Sequence, residues 1–310
     1  MRGQKQGKEI PRPGGRWRIG VIGDSFHVPL FESVTQAAQL GVDGISFYAA
    51  TPEFLSIEPA EIRTRCEDAG LEIASLIAEL GGHGWQDQNE NRAKIPKLKE
   101  MVLLASRLGT NVITGHIGVI PEDASHPRYA VMQSACRQLG RFAHDHGISF
   151  GIETGPEPAT TLRRFLDELD TPGIGVNLDP ANLVMVVRDD PVQAVRTLAP
   201  YIVSTHAKDG RNLQPCDAEQ VYDAFAEGGF DELVARTGQL FEEVPLGQGD
   251  VPWKKYLNAL HECGFRDWLT IERETGANPS ADIAGAIRFL RQFVDLPLAD
   301  TTLDEGGVVA

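Results

Sequence analysis

The run ISFGIETGPEPATTLRRFLDELDTPGIGVNLDPANLVMVVRDDPVQAVRTLAPYIVSTHAKDG, residues 148–210, decides the fold. Three short apolar segments, ISFGIE (148–153), GIGVNLD (173–179) and YIVSTH (201–206), alternate with the amphipathic segments TTLRRFLDELD (160–170) and PVQAVRTLA (191–199). Short apolar strands separated by helices imply a parallel sheet covered by helices. The spacing between successive strand ends is nearly constant, so the unit repeats.

The same unit extends in both directions. Upstream lie the strands RIGVIG (18–23), GISFY (44–48), LEIASLI (71–77) and NVITGH (111–116), and downstream WLTIE (268–272). Helices are expected over 31–41, 58–70, 94–109, 127–147, 252–264 and 280–293. Several close on a glycine (Gly41, Gly70, Gly109, Gly147, Gly264), as happens where a left-handed residue ends a helix before the next strand. Eight strands and eight helices in alternation predict a single-domain α/β protein, a (β/α)₈ TIM barrel over 18–298. Such a barrel of about 250 residues has about 31 residues per unit. The step from the seventh strand to the eighth is too long and predicts an insertion, about 210–248, between strand 7 and helix 7. Two further long connections, 78–93 and 117–126, leave the C-terminal ends of strands, where barrel enzymes place their sites. Residues 1–17 read as a disordered basic Gly/Pro-rich segment and 299–310 as a flexible acidic tail. No G-x-G-x-x-G follows the first strand, so an open dinucleotide-binding sheet has no support.

The charge balance narrows the partners. Among 310 residues there are 29 Lys or Arg against 44 Asp or Glu, a formal −15. That excess disfavours nucleic acid, whose binding depends on Lys and Arg neutralising phosphates. No run approaches the roughly 20 apolar residues that span a bilayer. The four cysteines are far apart with no C-x-x-C pair, which fits reduced thiols and a cytoplasmic location. Gly81-Gly82-His83-Gly84 lacks the spacing of a phosphate-binding loop, and no G-x-S-x-G elbow occurs.

Four consecutive strands end on a side chain of metal-ligand type: Glu153, Asp179, His206 and Glu272. Singly, each would be an ordinary rim or salt-bridge residue. Together, on adjacent strands of one barrel mouth, they converge. Three carboxylates and one imidazole suit Mn²⁺, Mg²⁺ or Co²⁺, with Zn²⁺ less favoured in the absence of thiolates. Around them His116 is read as an acid/base, a hydrogen-bond donor or a structural residue. Glu157 faces a substrate hydroxyl or caps the next helix, and Lys208 meets an anion or pairs locally with Asp209. Glu79 and His83 line the pocket or face solvent, while Phe47, Trp85 and Trp253 are stacking candidates that more often pack.

GIETG, NLDPANL, THAKDG and PLGQGDVPW…GFRDWLTIERE resemble the sugar phosphate isomerase/epimerase family, the xylose isomerase-like TIM barrels, over about residues 18–295. The family includes ketose 3-epimerases, inosose dehydratases and endonuclease IV-like enzymes. The resemblance implies divalent-metal binding by Glu153, Asp179, His206 and Glu272. Ketose epimerases usually carry Asp-x-x-His after strand 6; here Asp179-Pro-Ala-Asn182 places an amide that hydrogen-bonds but carries no proton at neutral pH. The family's basic residue after the strand-7 histidine corresponds to Lys208 or Arg211. The expectation is a metal-dependent isomerase or epimerase of a ketose or keto-cyclitol, with Glu153 and Glu272 moving the proton of an enediolate. His116, Glu157, Asn182, Lys208 and Arg211 would bind substrate. A dehydratase or lyase of a keto-sugar, keto-cyclitol or 3-oxo-glycoside shares the first half-reaction. An endonuclease IV-like phosphodiesterase would need three zinc ions and more histidines. A homo-oligomer is also expected, with the insertion available for subunit contact.

Overall fold

The computed structural model describes residues 17–294. Eight parallel strands close into a barrel: β1 (Arg18–Ile22), β2 (Gly44–Tyr48), β3 (Glu72–Ile77), β4 (Val112–Gly115), β5 (Ser149–Glu153), β6 (Ile174–Leu178), β7 (Ile202–Ala207) and, eighth in the ring, β10 (Trp268–Ile271). Closure is made by β10, which pairs with β1 through Arg18↔Trp268 and with β7 through His206↔Thr270. The surrounding layer comprises α1 (Leu30–Leu40), α2 (Pro52–Leu55), α3 (Pro59–Asp68), α4 (Gln88–Leu108), α5 (Pro127–Asp145), α6 (Ala159–Leu169), α7 (Pro180–Asn182), α8 (Pro191–Leu198), α11 (Trp253–Glu262) and α12 (Pro279–Val294). The expected TIM barrel is therefore present. Between the barrel and its helices, on the strand faces opposite those of Glu153 and His206, pack side chains such as Leu76, Ile113, Phe150 and Leu269, all essentially without solvent contact.

Local chemistry explains the helix boundaries. Proline opens α3, α5, α8 and α12, where its missing N–H has no intrahelical acceptor to lose. Gly109 ends α4 at φ 84°, in the left-handed region that favours glycine. That helix begins six residues earlier than the apolar pattern predicts. Asp87 caps it by accepting the N–H groups of Asn89 and Glu90 at 2.7 and 2.9 Å, so the polar NENRA run is its first turns rather than loop. The connection after β3 shortens accordingly to 78–87.

Two boundaries at the ends of the chain also bear on the sequence reading. Trp17, assigned there to the N-terminal lead-in, is buried with its ring 5.9 Å from that of Phe265. Residues 1–16 and the proposed tail 299–310 lie outside the described residues.

The insertion after β7 is an organised unit. Strands β8 (Asp209–Asn212) and β9 (Phe241–Val244) pair antiparallel, from Asp209↔Val244 to Asn212↔Phe241. They flank helices α9 (Ala218–Glu227) and α10 (Phe230–Thr237). Asp209 joins this unit to the barrel. Its buried carboxylate accepts the N–H groups of Gly210, Gly247, Gly249 and Val251 and the indole N–H of Trp253, at 2.8–3.2 Å. Charge-assisted bonds to five donors hold the 245–253 loop against the start of the hairpin. A Cβ at Gly249 would lie 2.1 Å from Asp209 Oδ1, so only glycine fits there. The expected Lys208–Asp209 pair is thus absent, since Asp209 is given over to this loop.

Replacing Asp209 by Asn leaves one acceptor oxygen for these donors. Asp209→Asn should lower stability by about 3 kcal/mol, from the cost of stranding buried donors. Chemical denaturation at fixed metal concentration measures this directly.

Candidate metal centre

The four strand-end side chains meet. Glu153 ends β5, Asp179 follows β6, His206 lies in β7 and Glu272 follows β10, with exposures of 4, 0, 2 and 6%. One ligand atom from each lies within 4.8 Å of all the others. His206 Nδ1 is at the centre, 3.5 Å from Glu153 Oε1, 3.4 Å from Asp179 Oδ2 and 3.1 Å from Glu272 Oε2.

Each of the four side chains is held by its neighbours. Asp179 caps α7, its Oδ1 accepting Asn182 N–H at 2.9 Å ahead of Pro180, which leaves Oδ2 facing the cluster. Thr154 clamps the Asp179 backbone through bonds of 2.9 and 3.0 Å. Asn182 donates its side-chain N–H to Glu153 Oε1 at 3.2 Å. The amide of Asn177, two residues before Asp179 on β6, lies 3.0 Å from His206 Nε2. Lys208 donates to Glu272 Oε2 at 3.2 Å and also pairs with Glu274. Tyr48, at the end of β2, approaches Glu272 Oε1 at 3.5 Å. A π-helical turn, Leu183–Val187, follows directly on α7, a distortion common beside functional sites.

The donor set fits a divalent cation. Asp179 Oδ2 and His206 Nδ1 are buried without any hydrogen-bond partner, and both belong to the converging set. Unpaired buried polar atoms are uncommon and call for a partner. Three buried carboxylates around one imidazole also concentrate negative charge in a poor dielectric. Burial opposes ionisation of Glu153, yet His116 and His206 hold its carboxyl below the usual range. For Glu272 burial is likewise outweighed, here by Lys208 and His206. Asp179 is raised by burial, only partly offset by His206 and Lys208. His206, despite its burial, is driven well above the ordinary imidazole range by Glu272 and Glu153.

The other expected site residues divide into two groups. His116, just after β4, donates its backbone N–H to Glu79 Oε1 at 2.6 Å and places Nδ1 3.0 Å from the same oxygen. Its Nε2, buried and unpaired, is 3.9 Å from Glu153 Oε1. Asn182, Lys208 and Glu79 therefore join the cluster's surroundings, as does His116. Glu157 is buried but accepts the N–H of Ile120 at 3.2 Å. It does not cap α6, whose first N–H, from Ala159, goes to Asp189 at 2.8 Å. Arg211 lies on β8 and bonds to Glu242 and the Gln248 carbonyl, so the hairpin turns it away from the cluster. His83 meets Asp223 and Glu227 of α9 at 2.9 and 3.5 Å. Phe47, Trp85 and Trp253 pack: Phe47 against Phe54, Trp85 against Phe150, and Trp253 on Tyr256 with its N–H on Asp209.

Several participants escaped the sequence reading. Asn177 carried a signal, because residues i and i+2 of a strand share a face, which puts it beside Asp179. Tyr48, Glu274 and Tyr222 carried none of comparable clarity. Glu243 of β9 was also hidden: it pairs with Arg273 at 2.6 Å and accepts Glu274 N–H, which fastens the inserted hairpin to the residues after Glu272.

The profile of the xylose isomerase-like TIM barrel matches residues 34–293. The chain belongs to that family. No curated protein matches it. Among solved structures it is similar to a xylose isomerase domain protein from Planctomyces limnophilus, at 28% identity and TM-score 0.71, covering 91% of this chain and 99% of that one. It shares its fold with a D-tagatose 3-epimerase-like protein, at 19% identity and TM-score 0.69 over 90% and 97% of the two chains. The probable 3-DHS dehydratase AsbF from Bacillus anthracis is similar in the same way, at 20% identity and TM-score 0.67 over 88% and 98%. This xylose isomerase-like barrel thus has neighbours named for more than one reaction.

Burial pushes the Glu157 carboxyl up to about 8, against the lowering effects of Ile120 N–H and His116. Between the unfolded carboxyl value of about 4.3 and that point, the folded state holds the extra proton, so stability falls as pH rises. The slope is at most about 1.4 kcal/mol per pH unit. Glu157→Gln should flatten the decline between pH 5 and 8, in paired denaturation curves of variant and parent protein.

Proposed function

We propose that this barrel is a divalent-metal-dependent isomerase or epimerase of an uncharged ketose or keto-cyclitol. The observation that carries the reading is the pair Glu153 and Glu272. They flank His206 Nδ1 at 3.5 and 3.1 Å, come from strands three places apart around the ring, and each has a proton-bearing neighbour beyond the cluster. For Glu153 that neighbour is His116, and for Glu272 it is Tyr48.

Glu153, Asp179, His206 and Glu272 would hold the ion, which supplies Lewis-acid stabilisation of the negative charge that develops on substrate oxygen. The protein's own groups account for the proton's path. One glutamate would remove the proton from the carbon beside the carbonyl. The other, supplied with a proton by its own neighbour (His116 for Glu153, Tyr48 for Glu272), would deliver one from the opposite face; the first then passes its proton through solvent to restore that neighbour. Return to the same carbon inverts it, giving epimerisation; return to the adjacent carbon moves the carbonyl. With the ion bound, His206 would be neutral. The ion itself, with Lys208 beside Glu272 and His116 beside Glu153, would favour the carboxylate forms, so either can begin as base. Asn182 steadies Glu153 and Lys208 steadies Glu272 through the bonds described above. Asn182 remains able to donate to a substrate hydroxyl, whereas proton transfer falls to the glutamates.

Charge supports a neutral substrate. Lys208 is engaged by Glu272 and Glu274, and Lys94 by Glu90 and the carbonyls of Gly81 and Gly84. Arg128 is engaged by Gln86 and Glu219. A phosphate would have to break one of these pairings while facing Glu79, Glu153 and Glu272.

A dehydratase of a keto-sugar or keto-cyclitol is the second reading, favoured by the unpaired His116 Nε2, a proton donor for a departing hydroxyl. One experiment separates the two. Candidate keto-sugars and cyclitols are incubated with Mn²⁺-loaded protein in D₂O and followed by NMR. Carbon-bound deuterium in a product of unchanged composition is the expected result; loss of water selects the dehydratase. Glu153→Gln and Glu272→Gln should each lower kcat by about 10³-fold, the scale of general acid–base catalysis. Undiminished turnover in both variants would overturn the proposal.

A further inference from the structure

The four converging side chains are no more than 6% exposed, so a sugar cannot touch them until part of the molecule moves. Helix α9 of the insertion stands against the residues beside the cluster. Its Tyr222 stands with its ring 5.6 Å from that of His116. A Cβ placed on Gly155, two residues beyond Glu153, would meet the Tyr222 hydroxyl at 2.5 Å. The Tyr222 hydroxyl thus rests on the chain as it leaves Glu153. Tyr222 and Asp223 also line a cleft whose other wall is the connection after β3, including Glu79, His83 and Trp85, with His116 at its base.

The attachment of α9 is thin. Of its ten residues only Val221 is fully buried, and α10 buries only Leu233. By contrast, α5 buries seven residues and α4 eight. Side-chain pairs tie α9 to the barrel: His83 with Asp223 and Glu227, and Arg128 with Glu219. All but Arg128 are at least 40% exposed. Exposed pairs of this kind contribute about 0–1 kcal/mol each and are screened by salt. Gly228 and Gly229 separate α9 from α10, with Gly228 at φ 72°.

We propose that α9 is a removable roof over the metal centre, sealed by Tyr222 and fastened at His83, and that its lifting admits ion and substrate. This rests on reading the four-residue cluster as the active site. The hydroxyl of Tyr222, kept protonated by burial near Glu153 and Glu157, is a neutral lining when the roof is down. The insertion would then belong to the active site and not merely decorate the barrel.

The test bridges the fastening. His83→Cys and Asp223→Cys are introduced with Cys216→Ser and Cys263→Ser, and a short bis-methanethiosulfonate reagent links the two thiols reversibly. Release of Mn²⁺ to excess chelator is timed with the bridge intact and after reduction. The bridged protein should release the ion at least 10-fold more slowly than the reduced form, and Tyr222→Ala should release it several-fold faster than the parent. Equal rates with and without the bridge would overturn the roof. If the chain takes up no divalent ion, the proposed function fails, and amide hydrogen exchange decides the roof separately. Amides of residues 218–237 should then exchange at least 100-fold faster than those of β5 and β7 and be protected by the bridge. Exchange as slow as in the strands would refute it.

Discussion

Three carboxylates buried around one imidazole are the constraint on which this molecule is organised. Removing such charges from water costs several kcal/mol per ion unless each finds a partner. Within the protein, Lys208, His206, Asn177 and Asn182 meet part of that need. The unpaired Asp179 Oδ2 and His206 Nδ1 mark the part left over. A dication would take a lone pair from both atoms and also offset the surplus negative charge of the three carboxylates, which a hydrogen bond between the two atoms would not. Maintaining this concentration of charge requires strand ends that do not shift, and the closed sheet supplies them.

The surrounding architecture serves the same requirement at longer range. Asp209 gathers the 245–253 loop, while Glu243 and Arg273 clasp the hairpin to the segment after Glu272. Asp282 holds the other side of Arg273 at 2.9 Å. The eighth strand end, the most distant in sequence from its neighbours in the site, is thereby braced by the insertion.

The barrel was legible because its strands are short, apolar and regularly spaced, and because four of them end on a ligand type. What the sequence concealed has specific physical causes. Adjacency suggested that Lys208 would pair with Asp209, but the chain passes from β7 to β8 there, and each side chain finds partners far away in sequence. Arg211 was drawn toward the site by its nearness to His206 in sequence, and the same hairpin carries it off. Glu157 resembled a helix cap by position, yet Asp189 reaches the first N–H of α6 and leaves Glu157 buried on Ile120. Tyr222 sits in an amphipathic helix with no local mark of function. Its meaning depends on where the hairpin lays that helix, which is tertiary information.

The most direct measurement of the central claim is metal stoichiometry and thermal stability on chelator-stripped protein, titrated with Mn²⁺. One ion bound per chain, with the melting temperature raised by about 5 °C at a hundredfold excess over Kd, is the expected result. Asp179→Asn should abolish both effects. A stripped chain that binds no ion, and melts at the same temperature at every concentration added, would contradict it.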